Sequence, residues 1–455
     1  MSPSLLQQMR QDAHEIFQAG LKAVDPVAAV KKNVKLTKDR LTICDSHWDL
    51  SEFDRLFIVG AGKASGAMAA AMEDILTERI TAGCIIVKYG HGANLSRISL
   101  VEAGHPIPDR QGQKGARQIR KLCENAGAND LVLFLISGGG SALMPEPSTG
   151  LTLADKQLTS QILLACGAGI HEINTLRKHL SQIKGGRLAL SAYPARTVAL
   201  ILSDVVGDDL DIIASGPTVP DSGTFQDCLE IINKYELAAK LPSAVRYHLT
   251  AGVAGQVEET PKSDHPAFGL AEHFIIGNNL QALVAAQKKA ESLGYQAVML
   301  SSQLTGETRD AAEFHAAVIK EILQSGHPAK PPACLLSGGE TTVTLQGNGK
   351  GGRNQEFVLA AIPFLKDLAP LVCLSVGTDG TDGPTHAAGA IMDSMSLKRA
   401  TAKGLDPSVF LANNDSYHFF QALDDLIITG PTRTNVMDIR IGLVGVQPEA
   451  VRFKP

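Results

Sequence analysis

Short apolar runs punctuate this chain, each ending in a cluster of Gly, Ser, Asp or Asn, and many followed by a stretch with helical spacing. The runs are LFIVGAG (56–62), GCIIVKYG (83–90), LVLFLISGGGS (131–141), TVALILSDVVGDD (197–209), HFIIGNN (273–279), QAVMLSS (296–302), ACLLSGGE (333–340) and LVCLSVGTDG (371–380). Ile, Val and Leu on consecutive positions fit strands covered on both faces. Stretches such as 281–293 and 308–323 carry the helical period, and strand alternating with helix predicts parallel sheet layers flanked by helices. The fold class is therefore α/β. Residues 1–32 predict an opening amphipathic helix, with Leu5, Leu6, Met9, Ala13, Ile16 and Phe17 on one stripe. Residues 174–190 predict another, with Leu176, Leu180 and Ile183 inward and Arg177, Lys178, Lys184 and Arg187 on a solvated face. Residues 241–270 hold Pro242, Gly252, Gly255, Pro261 and Pro266 and no strand-like run. A domain boundary is expected there, giving domains at 1–245 and 271–455 joined by a linker at 246–270.

Composition narrows the function classes. With 42 basic and 47 acidic residues the formal charge is −5, so nothing global draws the chain to nucleic acid or anionic lipid. The strongly apolar run at 131–136 falls far short of the ~20 residues that cross a bilayer. Arg10, Asp12 and Glu15 interrupt the apolar positions near the start, so no signal-peptide core forms there. Seven scattered cysteines without a CxxC pair read as buried thiols in a reducing compartment, and a cytoplasmic location is expected. The thirteen histidines show no HExxH or other zinc-ligand spacing, and His105 before Pro106 reads as part of a turn.

Glycine is in excess, 43 of 455 residues, and it gathers at strand ends, where ligands bind in open parallel sheets. The loop at 60–66, Gly-Ala-Gly-Lys-Ala-Ser-Gly, matches neither GxxxxGK[ST] nor GxGxxG. It reads as an anion cradle with Lys63 as a mobile charge, or as a tight strand-to-helix turn with a solvated lysine. Ser137-Gly138-Gly139-Gly140-Ser141 has more glycine than a turn needs and reads as an anion nest. The absence of GxSxG around both serines disfavours a hydrolase. Asp204, Asp208 and Asp209 follow one strand and Asp379 and Asp382 another. Such carboxylates suit magnesium, although a single one can be an Asx-turn. Residues 347–352 spell GxGxxG after a strand-like TTVTLQ, without an acid at the spacing a dinucleotide needs, and Arg353 follows with a fork suited to phosphate or carboxylate. Anion loops, a lysine, an arginine and strand-end carboxylates together predict a magnesium-dependent enzyme acting on a phosphorylated or carboxylated small molecule.

The motifs in order resemble one family, the class II glycerate kinases (glycerate 2-kinase, MOFRL family). The matching stretches include VGAGKASGAM (59–68), EAGHPIPD (102–109), LISGGGSALMPEP (135–147), RKHLSQIKGGRLA (177–189) and SDVVGDDLDIIASGPTVPD (203–221). They continue with IGNN (276–279), LSGGETTVTLQGNGKGGRNQE (336–356), SVGTDGTDGPTHAAGA (375–390) and NDSYHFFQALDDLIITGPTRTNV (414–436). The resemblance implies ATP-dependent phosphorylation of D-glycerate at its 2-hydroxyl with Mg2+. It also implies an N-terminal Rossmann-like domain with helices on both faces of a parallel sheet, a smaller C-terminal α/β domain with a mixed sheet, and a cleft between them as active site. Lys63 and Arg353 correspond to the family's basic pair, with Asp204 as base or metal ligand and Asp379 and Asp382 as further metal ligands. Gly60, Gly62, Ser137, Gly138, Gly139, Gly140, Ser141, Glu340 and Asn278 form the expected nucleotide-binding set, with glycines 138–140 cradling either the ATP phosphates or the glycerate carboxylate. The expected partner is the small-molecule substrate, with a homo-oligomer possible and neither nucleic acid nor membrane involved. His386, Arg433 and Met437 depart from the family pattern, standing where it carries an acid, a glycine and an asparagine. The rival reading is a nicotinamide-dependent hydroxypyruvate reductase, supported by the glycine motif at 347–352.

Overall fold

The structure, a computed structural model, describes residues 3–366, 368 and 370–446. The chain forms two compact units, Pro26–Ile276 and the remainder, Met1–Asp25 with Gly277–Pro455. This division differs from the expected one at both ends. The opening helix Pro3–Ala23 packs Met9, Ala13, Ile16 and Phe17 against Ala282, Leu283 and Ala286 of helix Asn279–Ser292. Its apolar stripe thus completes the layer over a sheet far away in sequence, and adjacency along the chain misassigns it. The expected linker at 246–270 is integrated too: the Glu259 carboxylate accepts from the amides of Phe225 (2.9 Å) and Thr260 (2.8 Å) and lies 2.7 Å from His179 Nε2.

The unit Pro26–Ile276 begins with an antiparallel meander, β1 (Val34–Thr37), β2 (Arg40–Ile43) and β3 (Ser46–Asp49). Its main sheet contains β4 (Arg55–Ala61), β5 (Ala82–Lys88), β6 (Ile98–Ala103), β7 (Asp130–Ser137), β8 (Arg196–Leu202) and β9 (Ala271–Gly277), in the order β6-β5-β4-β7-β8-β9. The ladders from β6 to β8 are parallel. All eight residues of β7 are buried, because both faces are covered. Leu133 and Leu135 pack in one layer with Met68 and Met72 of helix Ser65–Leu76, while Val132 and Phe134 pack in the other with Ile119 and Cys123 of helix Arg110–Glu124. The order reverses between β4 and β7, the Rossmann arrangement that opens a ligand crevice beyond those two strand ends. Helices Leu153–Ala165, Ile170–His179, Phe225–Lys234 and Ser243–Val253 build a separate core around Leu176, Phe225 and Leu249.

The second unit holds β10 (Gln296–Leu304), β11 (Ala333–Gly339), β12 (Leu371–Gly377), β13 (Gly389–Asp393), β14 (Leu426–Ile427) and β15 (Asp438–Val444), in the order β10-β11-β15-β12-β13-β14. The sheet is mixed, since β10 and β11 are parallel while β15 runs antiparallel to both β11 and β12. All eight apolar runs predicted as strands form strands. The strand-like 341–346 does not, contributing one bridge, Glu307 to Thr342.

Candidate functional site

At the strand-order reversal, the turn after β4 and the triglycine loop after β7 are laced together. Lys63 N donates to Gly138 O (2.9 Å) and Ala64 N to Ser137 Oγ (3.0 Å), while Gly62 N donates to Ile86 O (3.1 Å) and Ser65 N to Gly62 O (3.3 Å). Ser65 Oγ donates to Leu135 O and lies 3.2 Å from Ser137 Oγ. Gly62 adopts φ +150°, and a Cβ there would collide with Ser137 Oγ and the Ser137 carbonyl. These contacts correct part of the expected nucleotide set. Gly60 and Gly62 let two strands approach, the amides from Gly62 to Ser65 are spent inside the fold, and Ser137 is a buried strut. What the turn presents is the Lys63 side chain. It lies beside Gly139, whose left-handed φ of +85° suits glycine, and the His105 ring stands 2.9 Å from where a Gly139 Cβ would be, with Lys63 Cγ at 3.6 Å.

Behind this loop is a buried polar network. Ser141 Oγ lies 2.8 Å from Ser215 Oγ, which donates to Asn174 Oδ1 (2.9 Å), and Lys184 Nζ donates to Ser141 O (2.8 Å) and Oγ (3.0 Å). Ala214 and Ser215 hold positive φ of +51° and +64°, a strained pair of the kind that tertiary contacts must enforce. The expected solvated face is overturned here. Lys184 and Lys178 are 1% and 2% exposed, and Lys178 is ion-paired with Asp211 and with Asp221 at 3.2 Å. Burial, with Lys156 and Arg177 nearby, pulls the Lys184 ammonium well below the usual lysine range. The predicted helix at 174–190 in fact stops at His179, and a new helix starts at Arg187, entered through the left-handed Gly185 and Gly186. Asp204 follows β8, whose Leu202 pairs with Ser137, so it sits half-buried at the same end of the sheet.

In the second unit, β11 and β12 end on either side of the start of β15, and Asp438 pairs with Gly339 on one flank and Gly377 on the other. The Asp438 carboxylate is fully buried. It accepts from Arg353 Nε (2.7 Å) and Nη2 (3.0 Å), Asn354 Nδ2 (2.9 Å) and Arg440 Nη2 (3.1 Å). Arg353 Nη1 donates to Glu340 Oε1 at 2.7 Å. Burial works against the Arg353 charge, but Asp438, Glu340 and Asp382 more than offset it and raise its pKa. Asp382, expected as a metal ligand, is used differently. Its two oxygens accept from the amides and side chains of Asn354 and Gln355 at 2.9–3.3 Å, capping helix Arg353–Leu365. Burial pushes the Asp382 carboxyl up to about 6, with those hydrogen bonds opposing and Asp438 adding to the rise. Asp379 accepts from the Thr381 amide and hydroxyl, both at 3.0 Å. Asn278, expected to bind nucleotide, is the N-cap of helix Asn279–Ser292, accepting from Gln281 N at 3.0 Å.

The glycine motif at 347–352 is consumed by packing. A Cβ at Gly347 or Gly349 would strike Asn413 or Asp415, at Gly351 Ser416, and at Gly352 Asp382. With Asp382 also occupying the helix N-terminus, the loop lacks the close backbone approach and open amides that a dinucleotide pyrophosphate needs.

Two family profiles match, one described as a domain of unknown function (DUF4147) over residues 12–250 and one as the MOFRL family over residues 333–438. The chain is 43% identical to Glycerate 2-kinase of Pyrococcus horikoshii, over 93% of this chain and 94% of that one. It is 44% identical to a protein of Agrobacterium vitis named "Putative hydroxypyruvate reductase", over 86% of this chain and 100% of that one. A crystal structure of glycerate kinase from Thermotoga maritima superposes with TM-score 0.84 at 41% identity, covering 96% of this chain and 100% of that one. The chain belongs to the MOFRL glycerate kinase family. Among the described residues of this family member, no group of three or more His, Cys, Asp and Glu could hold a metal ion, and no helix is long and apolar enough to cross a membrane. Sequence reasoning missed Asp438, Lys156, Arg177, Lys184 and His105. Asp438 closes the segment 432–438 in which Arg433 and Met437 depart from the family pattern, and the strand it opens shows no long apolar run, whereas the other four lie in or near conspicuous Gly- and Pro-rich motifs.

Proposed function

We propose that the protein is a glycerate 2-kinase, transferring the γ-phosphoryl group of ATP to the 2-hydroxyl of D-glycerate and releasing 2-phospho-D-glycerate and ADP. One observation carries the reading: Lys63 stands beside Gly139 at the crevice where the strand order reverses, a cation where this topology binds ligands. The names of the relatives supply the substrate. In this mechanism the 2-hydroxyl oxygen attacks the γ-phosphorus, the bond to the bridging oxygen of ADP breaks, and Asp204 takes the hydroxyl proton. Lys63 and Arg353 neutralise charge on the migrating group; the Asp438 clamp fixes the Arg353 fork and leaves the second protons of Nη1 and Nη2 for a phosphoryl oxygen.

The donor chemistry fits magnesium that arrives with the nucleotide. Mg2+ usually takes one or two protein carboxylates and completes its shell with phosphate and water, so Asp204 in one unit or Asp379 in the other would be enough to meet it, and Asp382 is left to its helix. Once bound, the ion neutralises the β- and γ-phosphates.

The test is D-glycerate with Mg-ATP, coupled to enolase, which consumes only the 2-phosphate directly. Product formation with ADP release supports the assignment. NADH oxidation with hydroxypyruvate, without ADP from glycerate, sinks it in favour of the reductase, which the packed glycines at 347–352 already disfavour.

A further inference from the structure

A cavity of about 350 Å3 lies behind the triglycine loop, wholly within the unit Pro26–Ile276. Lys156, from helix Leu153–Ala165, Arg177, from helix Ile170–His179, and Lys184 all line it, together with Gly139, Ser141 and His105. No carboxylate lines it. Lys156 is 7% exposed and spends one proton on Leu180 O at 3.1 Å. Lys184 is directed onto Ser141. Arg177 has no hydrogen-bond or ion-pair partner among the described residues, so its fork faces the cavity uncommitted. Three cations gathered without a counter-charge cost stability, and such a cluster is retained where an anion completes it.

We propose that this cavity is the carboxylate subsite of the three-carbon acid, with Arg177 and Lys156 clamping the carboxylate and Lys184 positioning Ser141 beside it. This rests on the kinase reading and deepens it. Three features favour the acid over a nucleotide's phosphates. The volume is at the small end of the ~300–1,000 Å3 usual for ligand pockets. Ile107 and Leu164 supply an apolar wall suited to a short carbon chain. A triphosphate would bring magnesium, and the cavity offers that ion no carboxylate oxygen. A carboxylate anchored here, next to Gly139 and Lys63, keeps the hydroxyl on the adjacent carbon near the lysine, which favours the 2-position over the 3-position.

The same cluster sets the charge state of its lysines. Burial first, and Arg177 next, depress the Lys156 ammonium to about 7, opposed only by Glu146, which is committed to Arg120 at 3.0 Å. Lys184 is depressed by burial, Lys156 and Arg177, and His105 faces the same space. An arriving anion recharges Lys156, so the acid binds with proton uptake above neutral pH.

The experiment compares wild type with Arg177→Ala, Arg177→Lys and Lys156→Met. Wild-type turnover of D-glycerate tests the kinase reading by itself; the variants test the cavity. The expected result is a rise of about 10- to 100-fold in KM for glycerate for Arg177→Ala and Lys156→Met, with KM for ATP within about twofold and partial rescue by Arg177→Lys. Calorimetric titration with D-glycerate at pH 8 in HEPES and in Tris is expected to show uptake of about one proton or slightly less, lost in Lys156→Met. An unchanged KM for glycerate in a folded variant, a rise confined to ATP, or buffer-independent binding heats in wild type would each overturn the proposal. If Arg177→Ala fails to fold, Lys156→Met and the wild-type proton count decide.

Discussion

Replacing Asp438 by Asn is nearly isosteric yet removes the charge that holds two arginines at the mixed sheet's strand ends. In the native protein this buried carboxylate accepts two hydrogen bonds from Arg353, one from Asn354 and one from Arg440. Arg440 is fully buried, and its Nε and Nη1 have no hydrogen-bond partner, so Asp438 is its only charged anchor among the described residues. The substitution therefore leaves a buried guanidinium uncompensated and gives Arg353 an amide that cannot accept at both positions. Breaking a buried pair from one side costs about 3–5 kcal/mol. Hydrogen exchange followed by mass spectrometry localises the effect, with protection falling in helix Arg353–Leu365 and in β15. Because the cost comes from stranded charge, removing a cation should restore part of it. Arg353→Met on the Asp438→Asn background should lose less than the two single effects summed, with a coupling of about 2 kcal/mol or more. Additive losses, or a single-mutant cost under about 1 kcal/mol, would refute the view that Asp438 neutralises this cluster. A variant that keeps wild-type kcat would separately refute the role given to Arg353.

Other perturbations probe the remaining parts. Lys63→Ala should lower kcat by about 10²–10³, the usual loss for one transition-state donor, while circular dichroism shows an intact fold. Gly62→Ala should be destabilising by several kcal/mol in a urea melt, since its Cβ meets the Ser137 backbone and Oγ at a φ of +150°. Lys156→Met should stabilise the protein near neutral pH. The folded lysine, at about 7, binds fewer protons than the unfolded one between pH 7 and about 10.4, so wild-type stability climbs with pH across that window. The variant should gain up to a few kcal/mol at pH 6 and show a flatter profile, and an unchanged slope would contradict a buried neutral lysine. Arg433 adopts φ +63°, a conformation costing a side-chain-bearing residue about 1 kcal/mol or more, partly offset by the freedom glycine loses on folding, so Arg433→Gly should raise Tm by about one degree.

What could be foreseen and what could not divides along a physical line. Consecutive apolar residues announce a doubly covered strand wherever it lies, so LVLFLIS and its seven counterparts were visible in the sequence, and the α/β class followed from them. Strands without a long aliphatic run were not: β1 to β3 and β14 are short, and β13 and β15, although fully buried, are interrupted by Gly389, Asp438, Arg440 and Gly442. Glycine clusters announced where backbone comes close, but not to what. At Gly62 and Gly347 the close neighbour is the chain's own Ser137 and Asn413, whereas Gly139 adjoins His105 and Lys63. The charged residues were hardest to read. A helical period that correctly turned Leu176 and Leu180 inward also predicted a solvated Lys178 and Lys184, since periodicity assumes that the opposite face meets water. Here that face meets the triglycine loop and a ring of other buried groups, and only the fold brings Lys156 and Arg177 to the same cavity. A lysine that is buried without a carboxylate is therefore the most informative departure from sequence logic in this molecule: local pattern opposes it, tertiary packing enforces it, and an incoming anion supplies the missing charge.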